Sequence, residues 1–279
     1  MIAICTNPYR DSGFEITSQA KKMLERAGHS CVICPIFSDS PLHSACEFET
    51  KKLKDVLDGI SHILVLGGDG TILAVVRELG GRAIPILGVN LGTKGFMTAL
   101  EPDELSKLPE AFQPDAPVSD RMMLNVTLIR NGTAVLHDAA LNDIVIHGYG
   151  ECIQPTAWAD EMKMFSFSGD GLVVSTPTGS TGYSMSAGGP IVEPDARAIL
   201  LTPICAHTLS AKPYVLSPKR LVTVLTEKLT GRRAYLAVDG YQAADLESGD
   251  LLEIRCSDQF VRMISLSKRS FFEQLEKLV

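Results

Sequence analysis

Apolar residues recur along this chain in two rhythms. Over the first 112 residues, short apolar runs at 1–7, 30–34, 62–66 and 84–89 have the length of strands. Between them lie segments with helical period. Ile16, Ala20, Met23 and Leu24 form one face, and Ile72, Leu73, Val75, Val76 and Leu79 another. Residues 47–57 read as a charged amphipathic helix, and a shorter helix is expected from Pro102 to about Phe112. Asp11-Ser12 is expected to cap the first helix and Gly28 to end it. Pro35, Ser38, Asp39, Ser40 and Pro41 mark a loop. Alternating strands and helices predict a parallel sheet.

The rhythm changes after residues 114–117, which read as a linker. Strand-like runs with little helical period follow at 122–130, 133–141, 144–147, 158–166, 172–175, 221–226, 234–239, 251–256 and 261–265. Asn131-Gly132 is a strong hairpin signal between two of them. The last segment places Phe271, Phe272, Leu275 and Leu278 at helical spacing. The expected organisation is an α/β domain over residues 1–115 and a mostly antiparallel β domain over 116–268. A C-terminal helix over 269–279 is expected to pack back on the first domain.

The run at 62–66 leads into Gly67-Gly68-Asp69-Gly70-Thr71 and then directly into a helical period. Strand, glycine turn and helix in that order put the turn where open α/β sheets bind ligands. Glycine permits φ > 0 and close approach to a ligand, and a helix start offers free N–H groups to an anion. A carboxylate among those donors points to work on a hydroxyl or a metal beside a phosphate. The plainer reading makes Asp69 an N-cap. No Gly-Lys-Ser/Thr follows, so this is not a P-loop, and the glycine spacing does not fit the dinucleotide fingerprint. A second glycine-bearing loop runs from Asn90 to Thr98 after another strand, and its Lys94 is a candidate cation for phosphate.

Composition narrows the classes. With 45% hydrophobic residues the chain has enough for a real core, and no apolar run reaches membrane-spanning length. The N-terminal residues read as a strand rather than a signal peptide, so a cytoplasmic location is expected. A net charge of −7 argues against nucleic-acid and membrane-surface binding. The seven cysteines are scattered, and Cys31 and Cys34 fall inside a strand-like run with no second pair, which favours buried thiols over zinc. The histidines show no ligand spacing, and no protein metal site is predicted.

Residues 169–190 form a second constellation, dense in glycine and hydroxyls, with Asp170 and Tyr183 among them. Hydroxyls and free N–H groups suit ribose and phosphate oxygens, and Asp170 suits ribose hydroxyls. The alternative is a turn-rich loop held by its own side chains. Thr178 stands where a serine-hydrolase elbow needs glycine, so Ser180 is not such a nucleophile.

On these stretches the chain resembles the NAD kinases. The resemblance rests on Gly67-Gly68-Asp69-Gly70-Thr71, the loop from Asn90 to Thr98, Asn142-Asp143, Asp170-Gly171 and the run from Ser175 to Pro190. Thr202-Pro203-Ile204, His207-Thr208-Leu209-Ser210 and Val238-Asp239-Gly240 add to it. It implies a Rossmann-like N-terminal domain, a β-rich C-terminal domain and an active site between them. It also implies transfer of the ATP γ-phosphoryl group to the 2′-hydroxyl of the adenosine ribose of NAD, with Mg²⁺, in a homodimer or homotetramer. Asp69 matches the family's base, and Gly67, Gly68 and Lys94 are assigned to phosphate. The substrate set is Gly70, Asn142, Asp143, Asp170, Thr178, Thr181, Gly182, Tyr183, Ser184, Met185, Ser186, Cys205 and Tyr241. The sequence departs from the family's usual pattern in several places. Asp143 replaces the common Glu, Gly182 a common Ala, and Cys205-Ala206 a common Ala-Pro. Ser168 stands where a basic residue is frequent, and Tyr241 occupies a variable position. A lipid kinase would share the Gly-Gly-Asp-Gly turn but needs an apolar cleft and a membrane-docking face, against which the acidic balance weighs. A dinucleotide sensor would not need Asp69.

Overall fold

The computed structural model describes residues 1–37, 48–92, 95–227, 229, 231–266 and 271–276. Lys94 and the loop positions Ser38, Asp39, Ser40 and Pro41 lie outside them. The chain forms two compact units, one made of residues 1–120 with those from 261 onward, the other of residues 121–260.

The first unit is built on parallel strands β1 (Ile2–Thr6), β2 (Cys31–Ile33), β3 (His62–Gly67) and β4 (Ile86–Asn90), in the order β2-β1-β3-β4. Every residue of β1 and β4 is buried, because helices cover both faces. On one face Ile2, Ile4, Leu64, Leu66, Leu87 and Val89 pack against Ala20 and Leu24 of α1 (Glu15–Arg26). On the other, α2 (Asp69–Leu79) buries Ile72, Val75 and Leu79. Asp11 does cap α1, but from outside its first turn. Its carboxylate accepts the N–H groups of Ile16 and Thr17 at 3.0 and 2.8 Å, while Phe14 occupies the N-cap at φ 55°.

Two expected helices are corrected. Residues 53–55 and 57–59 form short 3-10 turns instead of a helix through 57, because Thr50 bridges Ile33 and the Lys51 N–H bonds its carbonyl. The segment thereby spends its backbone on the edge of β2. Residues 102–107 are also 3-10, and α3 (Leu108–Ala111) is one turn with Pro109 inside it.

Strands β5 (Val118–Arg130) and β16 (Leu251–Ile264) carry the chain out of the first unit and back. At its far end β16 pairs in parallel with β4, Met263 opposite Ile86. The second unit is antiparallel throughout. It adds β6 (Thr133–Ala140), β7 (Asp143–Gly148), β8 (Gln154–Ala159), β9 (Met162–Ser166), β10 (Gly171–Ser175) and β11 (Ile199–Ile204). Then come β12 (Tyr214–Leu216), β13 (Val222–Glu227), β14 (Ala234–Val238) and β15 (Tyr241–Leu246). Six of these form one sheet in the order β12-β11-β10-β7-β14-β15. A single core joins Ile144, Ile146, Leu172 and Val174 of that sheet to Val222, Val224, Leu252 and Ile254 beyond it.

Asn131 and Gly132 take φ 51° and 76°, the two positive angles that a tight hairpin between β5 and β6 requires. The expected strand at 158–166 is instead a hairpin, β8 and β9, turning at Asp160 with φ 54°. The two strands expected at 251–256 and 261–265 are one. Its middle, Ser257-Asp258-Gln259, is polar, and that hid the continuity.

Candidate active site

The first unit gathers its candidate residues at the carboxyl ends of its parallel strands. Gly67 ends β3 directly opposite Asn90, which ends β4. Asn7 follows β1 and donates to the Thr71 hydroxyl at 3.2 Å. None of Gly67, Gly68 and Gly70 has a positive φ, so the turn needs glycine for another reason. A Cβ on Gly67 would lie 2.3 Å from Thr71 Oγ1, whereas one on Gly68 or Gly70 would meet nothing within 4 Å among the described residues. Gly67 is set by internal packing. Gly68 and Gly70 leave bare backbone facing open space.

Gly68, not Asp69, is the N-cap of α2. The Asp69 carboxylate turns away from its own helix and accepts the N–H groups of Phe96 and Met97, each at 3.0 Å. These donors belong to the loop after β4. Asn90 holds that loop's start by accepting the Gly92 N–H at 3.0 Å. Burial pushes the Asp69 carboxyl above the usual carboxylate value, and the two N–H bonds pull the other way.

The second unit gathers its candidates around the six-stranded sheet. Asp143 starts β7 opposite Ser175, which ends β10. At the same end of the sheet Asp239 follows β14 with φ 48°, a left-handed conformation rare outside glycine. Its carboxylate accepts three consecutive backbone N–H groups, from Leu141 and Asn142 at 2.7 Å and from Asp143 at 3.1 Å. Asp239 returns its own N–H to the Asp143 carbonyl at 2.9 Å. The buried Asp143 carboxyl is pushed up to about 7, chiefly by desolvation and further by the charge of Asp239.

The hydroxyl-rich stretch folds onto this corner as a 3-10 turn over 178–181 followed by α4 (Tyr183–Ser186). A Cβ on Gly179 would sit 2.2 Å from the Asn142 carbonyl oxygen, so only glycine allows that approach. The ideal Cβ position of Gly182 lies 3.8 Å from Asn142 Nδ2 and 3.9 Å from Asp143 Oδ2. Thr176 ties the layers together, donating to the Leu141 carbonyl at 2.6 Å and accepting the Gly179 N–H at 3.1 Å.

The hydroxyls divide by use. Ser180 both donates to the Val192 carbonyl and accepts its N–H. Ser184 is fully buried and its hydroxyl is bonded to that of Thr202 at 2.9 Å. Thr181 donates weakly to the Thr178 carbonyl. In contrast, Thr178 Oγ1 and Asn142 Oδ1 are buried without a hydrogen-bond partner, an arrangement that a ligand donor would complete. Tyr183 and Ser186 are exposed and Met185 half-buried. Burial raises the Tyr183 phenol, and the charges of Asp170 and Asp143 raise it further, so both carboxylates lie within electrostatic reach of the ring.

Asp170 and the exposed Cys205 stand at the far end of β10 and β11. The Cys205 thiol is pushed up by its hydrogen bond to Asp170, and the residue sits at φ 46°. Tyr241 opens β15 opposite Val238 and is exposed. Asp239 and Thr176 were not among the candidate ligands. The Val238-Asp239-Gly240 run was visible, but only the fold shows Asp239 gripping the backbone at 141–143.

Two domain families divide the chain between them. Residues 2–115 match the ATP-NAD kinase N-terminal domain and residues 141–266 the ATP-NAD kinase C-terminal domain. The chain belongs to the NAD kinase family. Its relatives include the NAD kinase of Ruminiclostridium cellulolyticum, 34% identical over all of this chain and 97% of that protein. Another is the NAD kinase of Geobacter sulfurreducens, 41% identical over 76% of this chain and 75% of that one. Among solved structures, an NAD kinase from Archaeoglobus fulgidus in complex with ATP is 26% identical. It covers 100% of this chain and 98% of its own, with a TM-score of 0.74. Yeast NADH kinase complexed with NADH shares the fold, with a TM-score of 0.87 over 99% of this chain and 86% of its own at 23% identity. Membership makes the chain a phosphotransferase, and both the α/β first part and the antiparallel second part are as the sequence implied.

Proposed function

We propose that this NAD kinase transfers the γ-phosphoryl group of ATP to the 2′-hydroxyl of the adenosine ribose of NAD, with Asp69 as the base. The observation that carries the assignment is the Asp69 carboxylate. It is held by two loop N–H groups rather than by its own helix, beside two glycines whose backbone faces open space. Phosphoryl transfer through a loose transition state is mostly positioning and charge neutralisation. Burial raises the basicity of Asp69, which suits a group that orients the 2′-hydroxyl and takes its proton late. Gly67 and Gly68 keep the turn free of side chains where phosphates approach, Gly70 does the same for the substrate ribose beside Asp69, and Lys94 is the proposed cation.

Asn142 and Asp143 are the proposed anchors for NAD, with Asp170, Thr178, Thr181, Gly182, Tyr183, Met185, Ser186, Cys205 and Tyr241 lining its path. The unpartnered Asn142 Oδ1 and Thr178 Oγ1 support this assignment. Ser184, held to Thr202, is proposed to line the same path.

A magnesium ion fits this donor set only as a companion of the nucleotide. Among the described residues no group of three or more His, Cys, Asp or Glu side chains has the arrangement of a metal cage. Each Asp69 oxygen accepts one N–H and keeps a lone pair, so Asp69 is the residue to hold the ion or its water. When bound, the ion would neutralise phosphate charge. Among the described residues no helix is long and apolar enough to cross a membrane. We place the enzyme in the cytoplasm, and we infer a homodimer or homotetramer on the strength of the sequence resemblance.

The Asp69→Asn variant tests the assignment. It loses the base and keeps one of the two N–H acceptors, setting an amide NH2 against the other loop N–H. Its kcat is expected to fall at least about a hundredfold while NAD binding is retained. An unchanged kcat would remove Asp69 from that role.

A further inference from the structure

The second unit carries a cavity of about 690 Å³ that no part of the reaction uses. It is lined by Arg197, Lys219, Arg220 and Arg255, against the carboxylates of Asp160 and Asp258. Four cations to two anions at one concavity is unusual on a chain whose net charge is −7. The concavity is set by the sheet. Val222 of β13 lies between Ala159 of β8 and Ile254 of β16, so the segments just beyond these residues emerge together. Asp160 fixes the segment before β13 by accepting the Leu221 N–H at 3.0 Å and pairing with Arg220. Arg255 leans on Glu253 at 3.6 Å. Arg197 reaches the Cys256 thiol at 3.8 Å. Among the described residues no carboxylate forms an ion pair with Arg197 or Lys219.

We propose that this cavity is a binding site for a small anion carrying two or more phosphoryl groups. Guanidinium forks match phosphate oxygens, and cations from three separate segments suit a ligand with several charged groups. The volume lies in the range of small-molecule pockets and is generous for a single inorganic phosphate. A purely solvated basic surface would have no reason to be concave or to be pinned through Asp160.

The test is calorimetric titration of the full chain, saturated with NAD, with inorganic tripolyphosphate, and with inorganic phosphate as the single-charge control. Native protein is expected to bind tripolyphosphate saturably, more tightly than phosphate, and more weakly as salt rises. The exposed double variant R197A/K219A is expected to lose at least about tenfold in affinity, since it removes two charge-assisted contacts, while its rate of NADP formation stays native. Arg255→Ala, on a different strand, is expected to weaken the same binding. Tripolyphosphate binding of equal strength in native protein and both variants would overturn the proposal, as would the absence of saturable binding to native protein.

Discussion

Asp143 is buried, faces the charge of Asp239, and holds its proton up to about pH 7 instead of the usual 3.8. Its raised folded-state value means that the folded protein binds more protons than the unfolded chain between those two values. Asp143 therefore lowers stability progressively as pH rises from about 4 to about 7, and its effect is level above that. Denaturation midpoints measured across that window should fall more steeply for native protein than for Asp143→Asn. If the ribose hydroxyls of NAD donate to Asp143, the ionised form is the one that binds. KM for NAD should then drop as pH rises through about 7, and the Asn variant should show no such step. A step of equal size in both would place the titrating group elsewhere. Asp239 acts as a positioning residue, because its carboxylate holds three consecutive backbone N–H groups of residues 141–143. Asp239→Ala leaves three N–H groups without their acceptor. It should cost about 1–3 kcal/mol of stability and raise KM for NAD more than it lowers kcat. A loss confined to kcat would contradict that role. The sequence displayed Asp143 and Asp239 equally well. Their different jobs were not legible, because the grip on residues 141–143 joins positions nearly a hundred apart.

Glycines divide the two key elements by function. Gly179 lies so close to the Asn142 carbonyl that a methyl group cannot be fitted without moving backbone. Gly179→Ala should therefore lower the melting temperature and abolish NAD binding together. Gly70 has nothing within 4 Å of its would-be Cβ and an ordinary φ. Gly70→Ala should leave melting unchanged but reduce kcat/KM for NAD by between about ten- and a hundredfold, through a displaced ribose. An active Gly70→Ala enzyme would show that no substrate group approaches that backbone. The strand–turn–helix at Gly67–Gly70 could be read from periodicity because every one of its signals is local. The glycines' reasons could not. None of them takes the positive φ that glycine permits, and the real constraint on Gly67 is Thr71, held by Asn7 from the end of β1. The segment at 47–57 failed for the same kind of reason: its helical pattern was overridden by backbone bonding to β2.

At the scale of the whole chain, the change from alternating strands and helices to consecutive strands was visible in the hydrophobic rhythm. The parallel and antiparallel sheets follow from it. The return of the chain to its first unit through β16 was less visible, since a polar patch at Ser257-Asp258-Gln259 splits one fourteen-residue strand into two apparent ones. Acidic balance argued against the nucleic-acid and membrane-surface classes and left the motifs to name the chemistry. That chemistry rests on one product. The most direct measurement incubates the native chain with NAD and Mg²⁺-ATP and reads product with a dehydrogenase specific for NADP. Steady formation of NADP, dependent on ATP and on NAD, is the predicted result. Folded protein that binds NAD and makes no NADP would contradict the account.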